Sequence, residues 1–577
     1  MKLLRRYLSL FRSDVAAAYT RDIHKWVVVA PLLGVATGLL ITALVEIILR
    51  WAWPPLLRFD LAHPSAIVPS LTLGFVAAGL LMQYLTPDPD EHSTEEIIRA
   101  YHEHGGAVAM RPFVPKLLAA VATVGAGGSA ALEGPSIYGG GAIGSWLWTR
   151  LRRLGLDARD RRIMLVSGAA AGMSAVFRAP LTGIIFALEM PYKDDLAHEA
   201  LMPSLIASVV SYATMAAFLG SQPLFDFAAT SGYTRRDLLW SALLGAGCGL
   251  VVMAFVLVFR RIRGWVVRAP YPHWMKMAAG GALTGLCGLA YVLIFRNDLV
   301  PIGPNYEAVT AVLRATHGSA ALLGFGALKL LATLCSLGAG GVSAMFVPLF
   351  LTGGAFGTAF GQSVVHSAVP ELYAAVGMAA FIAGGYKAPL TAVVFVAEAT
   401  GGHAFIIPAL IGAAVAYGVS GEASASGDQR LHEAVRVAGL AALTVADVMH
   451  ADVAVAPADA TLVEFAHGVA RRRPHAVYTV VEDGRVTGAI AVAALNAVPP
   501  AEWGARRVRD VMVRAVGRVE PECDAQEALR LLLAGDGLRA LVVVSADGGL
   551  RGVLTPADLL HALNLIAPAG GAPGVTP

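Results

Sequence analysis

Long apolar segments alternate with short polar ones through most of the chain. Several are close to 20 residues long, the length that an α-helix needs to cross a bilayer. Glycine and proline interrupt several of them, so we expect more helices than apolar segments. The segments lie at about 26–50, 66–85, 114–148, 162–190, 200–219, 238–260, 274–295, 319–357, 372–399 and 404–419. The pattern predicts a polytopic α-helical membrane protein.

The pattern changes after residue 422. Residues 423–440 are mostly small and polar, which indicates a linker. Short strands alternating with helices follow, and they occur twice: TVADVM at 444–449 recurs as RVRDVM at 507–512, and a strand, D-G turn and strand recur after each. The sequence therefore predicts a soluble α/β tandem repeat over 441–567, followed by a disordered tail at 568–577.

Composition excludes several functional classes. The 577 residues are 56% hydrophobic and 15% charged, with a mean hydropathy of +0.63, which is too apolar for a soluble enzyme of this length. The four cysteines have no paired spacing, so neither a disulfide framework nor a zinc site is indicated. The apolar segments contain no His, Glu and Cys cluster with ligand or triad spacing, which argues against an intramembrane enzyme. We expect no metal and no nucleic-acid partner.

Basic residues indicate the orientation in the membrane. Residues 1–25 contain Lys and Arg around LLRRYLSLF and are predicted to form an amphipathic helix on anionic lipid. Because Lys and Arg are enriched on the cytoplasmic side, the N-terminus and the Arg-rich segment 150–162 are expected there.

The membrane region contains an internal duplication. The segment GAGGSAALEGPSIYGGGAIGSWLW at 125–148 matches GAGGVSAMFVPLFLTGGAFGTAFG at 338–361, with glycine and proline at equivalent positions. FRAPLTGIIFALE at 177–189 likewise matches YKAPLTAVVFVAE at 386–398. Two matched pairs in the same order predict two membrane repeats, at about 26–220 and 235–422, and repeats of this kind often place a substrate site at their interface.

Glu133 is a lone carboxylate in an apolar, glycine-rich segment, directly before Gly134-Pro135. Proline fits the first turn of a helix, so Glu133 is predicted to face the unpaired N–H groups and positive dipole end of the helix that begins there. The same place attracts other anions, which predicts an anion site that Glu133 occupies or vacates. The alternative is a carboxylate that only caps its helix. A cation pathway fits poorly, because helix N-termini repel cations.

The chain resembles the CLC chloride channel and transporter family with a paired cystathionine-β-synthase (CBS) domain. Four features carry the resemblance: the EGP after a glycine run, the FxP in the second copy, the two APLT segments and the trailing tandem repeat. The resemblance implies two inverted repeats per subunit, a homodimer with one pore per subunit, and anions held by backbone amides at helix N-termini. It also implies a multi-pass protein of the bacterial plasma (inner) membrane with both termini in the cytoplasm.

The resemblance assigns roles to individual residues. The gating glutamate of the family's GREGP motif corresponds to Glu133, followed by Gly134, although the motif's first two positions hold Ala and Leu here. The GxFxP motif corresponds to residues 344–348, with Ala in place of its first Gly. Met345, Phe346 and Val347 are therefore expected at the anion site, with the amides of the last two available to the anion. The alternative for Phe346 is ordinary aromatic packing at a helix end.

The family's GSGIP motif is matched poorly by residues 91–95, EHSTE. His92 stands where the anion-coordinating serine is expected, and Ser93 replaces a glycine. A histidine there would donate a hydrogen bond to an anion and titrate near neutrality. It would equally well be a solvated residue of the vestibule.

Two positions bear on whether the protein is a passive channel or a proton-coupled exchanger. Family members that exchange protons usually have an internal glutamate where this chain has Met190, one residue after Glu189. Glu189 has a counterpart, Glu398, in the second repeat, which favours a structural role for both. No tyrosine occurs where the pore tyrosine is expected, near Ser426 and Gly427. The sequence thus favours a passive chloride channel with a glutamate gate, and a proton-coupled chloride exchanger is the alternative.

The second CBS repeat contains GVLTPAD at 552–558, which resembles a ribose-phosphate signature. Thr555 would donate to a phosphate and Asp558 would accept from ribose hydroxyls. Alanines stand at the equivalent places in the first repeat, so at most one site for an adenine nucleotide is expected, and no other cofactor. The alternatives are a packing module and, for the whole chain, a non-transporting membrane sensor of adenine nucleotides.

Overall fold

A computed structural model describes residues 25–222, 232–296, 299–400, 403–430, 443–472, 477–482, 485–514, 516–534, 540–545, 549–559 and 562. The chain divides into two compact units, Met1–His432 and Glu433–Pro577. The predicted N-terminal helix, most of the linker and the C-terminal tail lie outside the described residues.

The first unit is entirely helical in its described part apart from short irregular segments. Its first half contains α1 (Lys25–Ala62, with a π-helical segment at Ile47–Ala52), α2 (Ile67–Leu85), α3 (Ser93–Glu103), α4 (Phe113–Gly125), α5 (Glu133–Leu151), α6 (Ala158–Phe177), α7 (Pro180–Glu189) and α8 (Leu201–Leu219). The predicted apolar segments 114–148 and 162–190 are thus each two helices, separated at their glycine or proline residues.

The second half repeats this order. It contains α9 (Arg235–Arg268), α10 (His273–Phe295), α11 (Tyr306–Leu313), α12 (Ser319–Gly338), α13 (Phe346–Phe360), α14 (Pro370–Tyr386), α15 (Pro389–Thr400) and α16 (Ile406–Val419). Among the described residues, six helices are long and apolar enough to cross a membrane: Lys25–Ala62, Pro64–Leu85, His198–Leu219, Arg235–Arg268, His273–Phe295 and Ser319–Gly338.

Contacts between equivalent residues confirm the two inverted repeats. Ala131 and its counterpart Ala344 form an antiparallel bridge. The two APLT helices exchange contacts reciprocally, because the C-terminal carboxylate of each caps the N-terminus of the other, as described below. Only an approximate two-fold axis between the halves places equivalent groups against each other in this way.

Glycines allow the helices of each repeat to approach closely. A Cβ added to Gly140 in α5 would lie 2.0 Å from the carbonyl oxygen of Gly168 in α6. The equivalent pair, Gly353 in α13 and Gly377 in α14, has the same relationship at 2.2 Å. Small residues at such crossings are typical of membrane helices, where close packing replaces the hydrophobic effect.

The second unit contains two small α/β modules with the same topology. The first has α17 (Val445–Val448), β1 (Val455–Pro457), α18 (Leu462–Glu464, continuing as a π-helix over Phe465–Ala470), β2 (Val477–Glu482) and β3 (Arg485–Ala491). The second has α19 (Val508–Val511), β4 (Arg518–Val519), α20 (Ala525–Ala534), β5 (Leu541–Val544) and β6 (Leu550–Leu554).

Each module forms a three-stranded sheet in chain order. The first strand pairs parallel to the second, and the second pairs antiparallel to the third. Both hairpins contain a register shift at the equivalent place, between Val480 and Val481 and between Val543 and Val544. The predicted tandem α/β repeat is therefore confirmed down to its irregularities.

Candidate functional site

The starts of α5 and α13 meet at the centre of the first unit. Besides the bridge at Ala131, the Ser343 hydroxyl donates a hydrogen bond to the Ala131 carbonyl oxygen. A Cβ on Gly134 would lie 2.7 Å from the Ser343 carbonyl carbon. Gly134, which we expected at the anion site, is thus required by the close approach of the two repeats.

Glu133 is the first residue of α5 and is fully buried. Its Oε1 accepts a hydrogen bond from the backbone N–H of Phe346 at 2.6 Å. Its Oε2 has no hydrogen-bond partner among the described residues. The carboxylate therefore lies at the N-terminus of α13 in the other repeat, whereas the sequence predicted the N-terminus of the helix that Glu133 itself begins.

The N-terminus of α13 is suited to anions. Phe346 and Val347 are its first two residues, and the third is a proline, which has no N–H to offer. N–H groups in the first turn of a helix have no partner within that helix, and the helix dipole adds positive potential there. The carboxylate of Glu133 thus occupies a place where a free anion would bind.

The ring of Phe346 packs within an aromatic cluster and is fully buried. Ring centroids lie at 5.4 Å from Phe177, 5.5 Å from Phe186, 5.9 Å from Tyr386 and 5.0 Å from Phe395. The cluster fixes the start of α13, so the side chain has the packing role that we considered, and the backbone N–H faces Glu133.

A cavity of about 50 Å³ lies beside the start of α13. A buried water needs roughly 10–15 Å³ by this measure, so a few waters fit. The polar part of its wall includes His92, Ser93, Glu95, Arg263 and Tyr386, and Met345 also lines it.

Two buried nitrogen atoms of this wall have no hydrogen-bond partner within the described part of the chain. The His92 Nδ1 lies 3.2 Å from the Ser93 hydroxyl, while its Nε2 is buried and unbonded. The Arg263 Nη2 pairs with Asp90 at 3.1 Å, and its Nη1 is buried and unbonded. Unbonded donors in a cavity favour an anion or water as their partner. Arg263 was not predicted from the sequence, although it belongs to an Arg-rich helix end.

Ser93 begins α3 with φ +62°, the left-handed conformation that glycine adopts readily. Ser93, which the resemblance aligns with a motif glycine, thus has a backbone conformation that glycine adopts readily. His92, directly before it, is extended.

Tyr386 brings a phenol to the cavity wall, although no tyrosine stands at the position where the resemblance places the pore tyrosine. Ser426, near the expected position after the last helix, forms part of the same wall, and Tyr386 enters it from the end of α14. Its hydroxyl accepts a hydrogen bond from the Met345 N–H at 3.0 Å and lies in the wall of the cavity. Its own proton has no acceptor among the described residues, so it is available to an anion or water. The signal in the sequence was the Tyr386 and Phe177 pair that precedes the two APLT segments.

Glu189 and Glu398 cap each other's helices. Glu189 accepts hydrogen bonds from the backbone N–H of Leu390 at 3.1 Å and of Thr391 at 2.8 Å. Glu398 accepts the equivalent bonds from Leu181 at 3.0 Å and from the Thr182 N–H at 2.8 Å. Both carboxylates therefore stabilise the starts of α7 and α15.

Met190, which the resemblance aligns with an internal proton-carrying glutamate, is buried outside the cavity wall. A thioether carries no proton, and the backbone carbonyl of Met190 accepts a hydrogen bond from Gln429.

In the second unit, Thr555 and Asp558 bind each other. The Thr555 N–H and hydroxyl donate to Asp558 Oδ2 at 2.8 and 2.6 Å. Thr461 and Glu464 make the same two contacts in the first module, where no nucleotide site is expected. A helix cap is thus sufficient to explain the Thr555 and Asp558 geometry.

Comparison with known proteins decides the family. The model of the voltage-gated chloride channel family matches residues 74–421, and the CBS domain model matches 445–495 and 508–565. The chain belongs to the voltage-gated chloride channel (CLC) family. The H(+)/Cl(-) exchange transporter ClcA of Yersinia pestis bv. Antiqua (strain Angola) is 29% identical to this CLC protein over 362 residues, 61% of this chain and 73% of the relative.

Two solved structures share the fold of this CLC protein. A CLC-type fluoride/proton antiporter superimposes with a TM-score of 0.62 at 21% identity, over 71% of this chain and 98% of that one. A eukaryotic CLC transporter superimposes with a TM-score of 0.60 at 18% identity, over 93% of this chain and 98% of that one. These likenesses confirm the CLC fold. The chain is therefore a multi-pass membrane protein of an anion-transport family.

Proposed function

We propose that this CLC protein exchanges chloride or a similar anion for protons, and that Glu133 both closes the anion path and carries the proton. The observation that carries the proposal is the Glu133 carboxylate bonded to the Phe346 N–H at the start of α13. An acidic side chain in an anion's place makes proton binding and anion binding mutually dependent.

The coupling follows from charge. While Glu133 is ionised, its carboxylate holds the positive helix start and keeps out a free anion. Once protonated, it loses the charge that favours this place, and an anion binds there instead. The Val347 N–H and the Tyr386 hydroxyl supply further donors along the path, and the unbonded His92 Nε2 lies in the same cavity wall. When the anion leaves, Glu133 releases its proton and returns.

The exchanger is better supported than the passive channel that the sequence favoured. ClcA, the named relative, is an H(+)/Cl(-) exchange transporter. The absence of the pore tyrosine favoured a channel because it predicted a wider inner passage. Tyr386 weakens that argument, because its phenol lies in the cavity wall. Met190 still supplies no proton, so exchange requires another internal proton route. The third hypothesis, a membrane sensor without transport, has no support from a family of transport proteins.

Other parts of the proposal rest on the family resemblance. They are a homodimer with one pathway per subunit and a bacterial inner-membrane location with both termini cytoplasmic. An adenine nucleotide at Thr555 and Asp558 is likewise proposed, beside the structural role of the CBS pair. No further cofactor is proposed.

The test is proton movement driven by chloride. The full-length protein is reconstituted in vesicles with a chloride gradient, and external chloride and pH are recorded together. We expect protons to move against their gradient as chloride moves down its own, and a protonophore to collapse the pH change. Chloride flux with no proton movement would refute exchange and restore the channel. No flux of chloride, nitrate or bromide at any pH would refute transport altogether.

A further inference from the structure

We propose that Glu95 is the internal proton-transfer group of this protein, taking over the role for which Met190 is unsuited. The proposal rests on the proposed exchange. It assigns Glu95 the task of moving protons between the water at one face of the membrane domain and Glu133, through the cavity beside α13.

Glu95 is placed for this task. It is the third residue of α3, is only partly buried, and forms part of the cavity wall. No described residue forms a hydrogen bond or ion pair with its carboxylate. Waters in the cavity are thus its available partners.

The cavity leads from Glu95 towards Glu133. Met345 and Tyr386 form the wall near α13, and the residue after Met345 is Phe346, whose N–H binds Glu133. Tyr386 is within electrostatic reach of both carboxylates. The cavity of about 50 Å³ has room for a few waters between Glu95 and Tyr386, and its wall at Met345 lies one residue from the N–H that binds Glu133.

The other acidic groups nearby are engaged elsewhere. Glu96 is buried in an ion pair with Lys116, Nζ to Oε2 2.6 Å. Glu189 accepts three hydrogen bonds from α15, one of them from the Thr391 hydroxyl at 2.5 Å. Glu91 pairs with Arg99 at 3.3 Å. Of the carboxylates described around the start of α3, Glu95 is the one that both reaches the cavity and has no bound partner.

Charged groups around Glu95 come from three directions. Arg260 and Arg263 face it from α9, Arg99 from its own helix, and Asp428 from the segment after α16. The arginines attract anions and favour the ionised carboxylate, whereas Asp428 opposes it. The titratable His92 shares the cavity wall. The Arg-rich end of α9 (Arg260, Arg261, Arg263 and Arg268) assigns this end of the path to the cytoplasm by the positive-inside rule.

The proton step needs no other reactant. A carboxylate oxygen of Glu95 takes a proton from a hydronium ion of the cytoplasmic water, which leaves a water molecule, and becomes a neutral acid. It gives that proton to a cavity water as another water passes one to Glu133, and Glu95 returns to the carboxylate. Glu133, now neutral, leaves the start of α13 and exposes the proton to the opposite side, while an anion moves the other way.

The experiment compares Glu95→Gln with a matched control, Glu103→Gln, on the same helix. Glu103 is exposed and lies outside the cavity wall. Each full-length variant is reconstituted, and chloride efflux and proton uptake are measured in the same vesicles. We expect Glu95→Gln to retain chloride flux while proton uptake falls about 100-fold or more, the usual contribution of a positioned acid or base. The control is expected to retain both fluxes.

The outcomes separate the two proposals. If the wild type moves chloride without protons, exchange fails and the role of Glu95 fails with it. If the wild type exchanges protons and Glu95→Gln does so at the same ratio, the role of Glu95 is refuted and exchange stands.

If Glu95→Gln does not fold, a second variant tests the proposal. Glu95→His replaces a carboxylic acid by an imidazole, which ordinarily titrates about two pH units higher. A relay at this position predicts that the dependence of proton uptake on cytoplasmic pH shifts upward. An unchanged pH profile in Glu95→His, with proton uptake retained, would contradict the proposal, since a structural role does not follow the side-chain pKa.

Discussion

Neutralising Glu133 is expected to let an anion bind at the start of α13, because the competing carboxylate charge is removed. In the structure the carboxylate makes one charge-assisted hydrogen bond, to the Phe346 N–H at 2.6 Å, in a fully buried place. A hydrogen bond to a charged group contributes about 1.5–3 kcal/mol. Since each 1.4 kcal/mol is a factor of ten in an equilibrium constant, Glu133→Ala is expected to shift occupancy towards the anion by about 10- to 100-fold.

The assay is chloride efflux from vesicles containing the purified protein, with a potassium ionophore to balance charge. For the wild type, we expect faster efflux as the pH falls, because protonation removes the charge that holds Glu133 in place. Glu133→Ala and Glu133→Gln are expected to be insensitive to pH, and the alanine variant to be faster because it also removes the side chain. Neither variant is expected to move protons.

A control carboxylate distinguishes the gate from a general effect of charge. Glu371 lies in the first turn of α14, also at a helix start but outside the contacts of Glu133. Glu371→Gln is expected to keep the wild-type rate and pH dependence. The reasoning fails if Glu133→Ala keeps the wild-type rate and pH profile, or if Glu371→Gln changes them equally.

Three further predictions have definite outcomes. Tyr386→Phe removes one hydroxyl from the cavity and is expected to weaken chloride binding about 2- to 10-fold, the effect of losing one neutral hydrogen bond. Chloride affinity measured by calorimetry that is unchanged in this variant would contradict a place for the Tyr386 hydroxyl on the anion path. Glu189→Gln and Glu398→Gln each weaken one reciprocal cap, so both are expected to lower the thermal unfolding temperature similarly without changing the ratio of protons to chloride; a loss of proton uptake in Glu189→Gln alone would make it a relay. ATP, ADP or AMP is expected to raise the unfolding temperature of the wild type but not of Asp558→Ala; no effect at millimolar nucleotide on the wild type leaves the CBS pair with a structural role.

The repeats were predictable because their evidence is local in the sequence. Matched glycines, prolines and APLT segments occur at constant offsets, and the repeats meet through the Ala131–Ala344 bridge and the reciprocal caps of the two APLT helices. The structural role of Glu189 followed from the same symmetry, because Glu398 stands at the equivalent place. In both cases the sequence contained two copies of the signal.

The geometry of the site depends on how the repeats approach each other, which the sequence does not encode locally. Glu133 was expected to face its own helix start, yet Gly134 lets α5 come so close to α13 that the carboxylate reaches the other repeat. Tyr386 lies in α14, far along the chain from the helix end where the family motif has its tyrosine, so only the fold brings its phenol to the cavity. The unpaired state of Glu95 likewise depends on which neighbours the fold brings to it.

The most direct measurement is the location of a heavy anion at the start of α13. Crystals of the wild type and of Glu133→Ala grown in bromide would show the ion by its anomalous scattering. We predict that bromide in the variant lies within hydrogen-bond distance of the Phe346 N–H, where the carboxylate lies in the wild type, and that the ionised wild type holds no bromide there. Bromide bound elsewhere in the variant, or at this N–H beside an intact Glu133 contact, would contradict the claim that carboxylate and anion compete for one place.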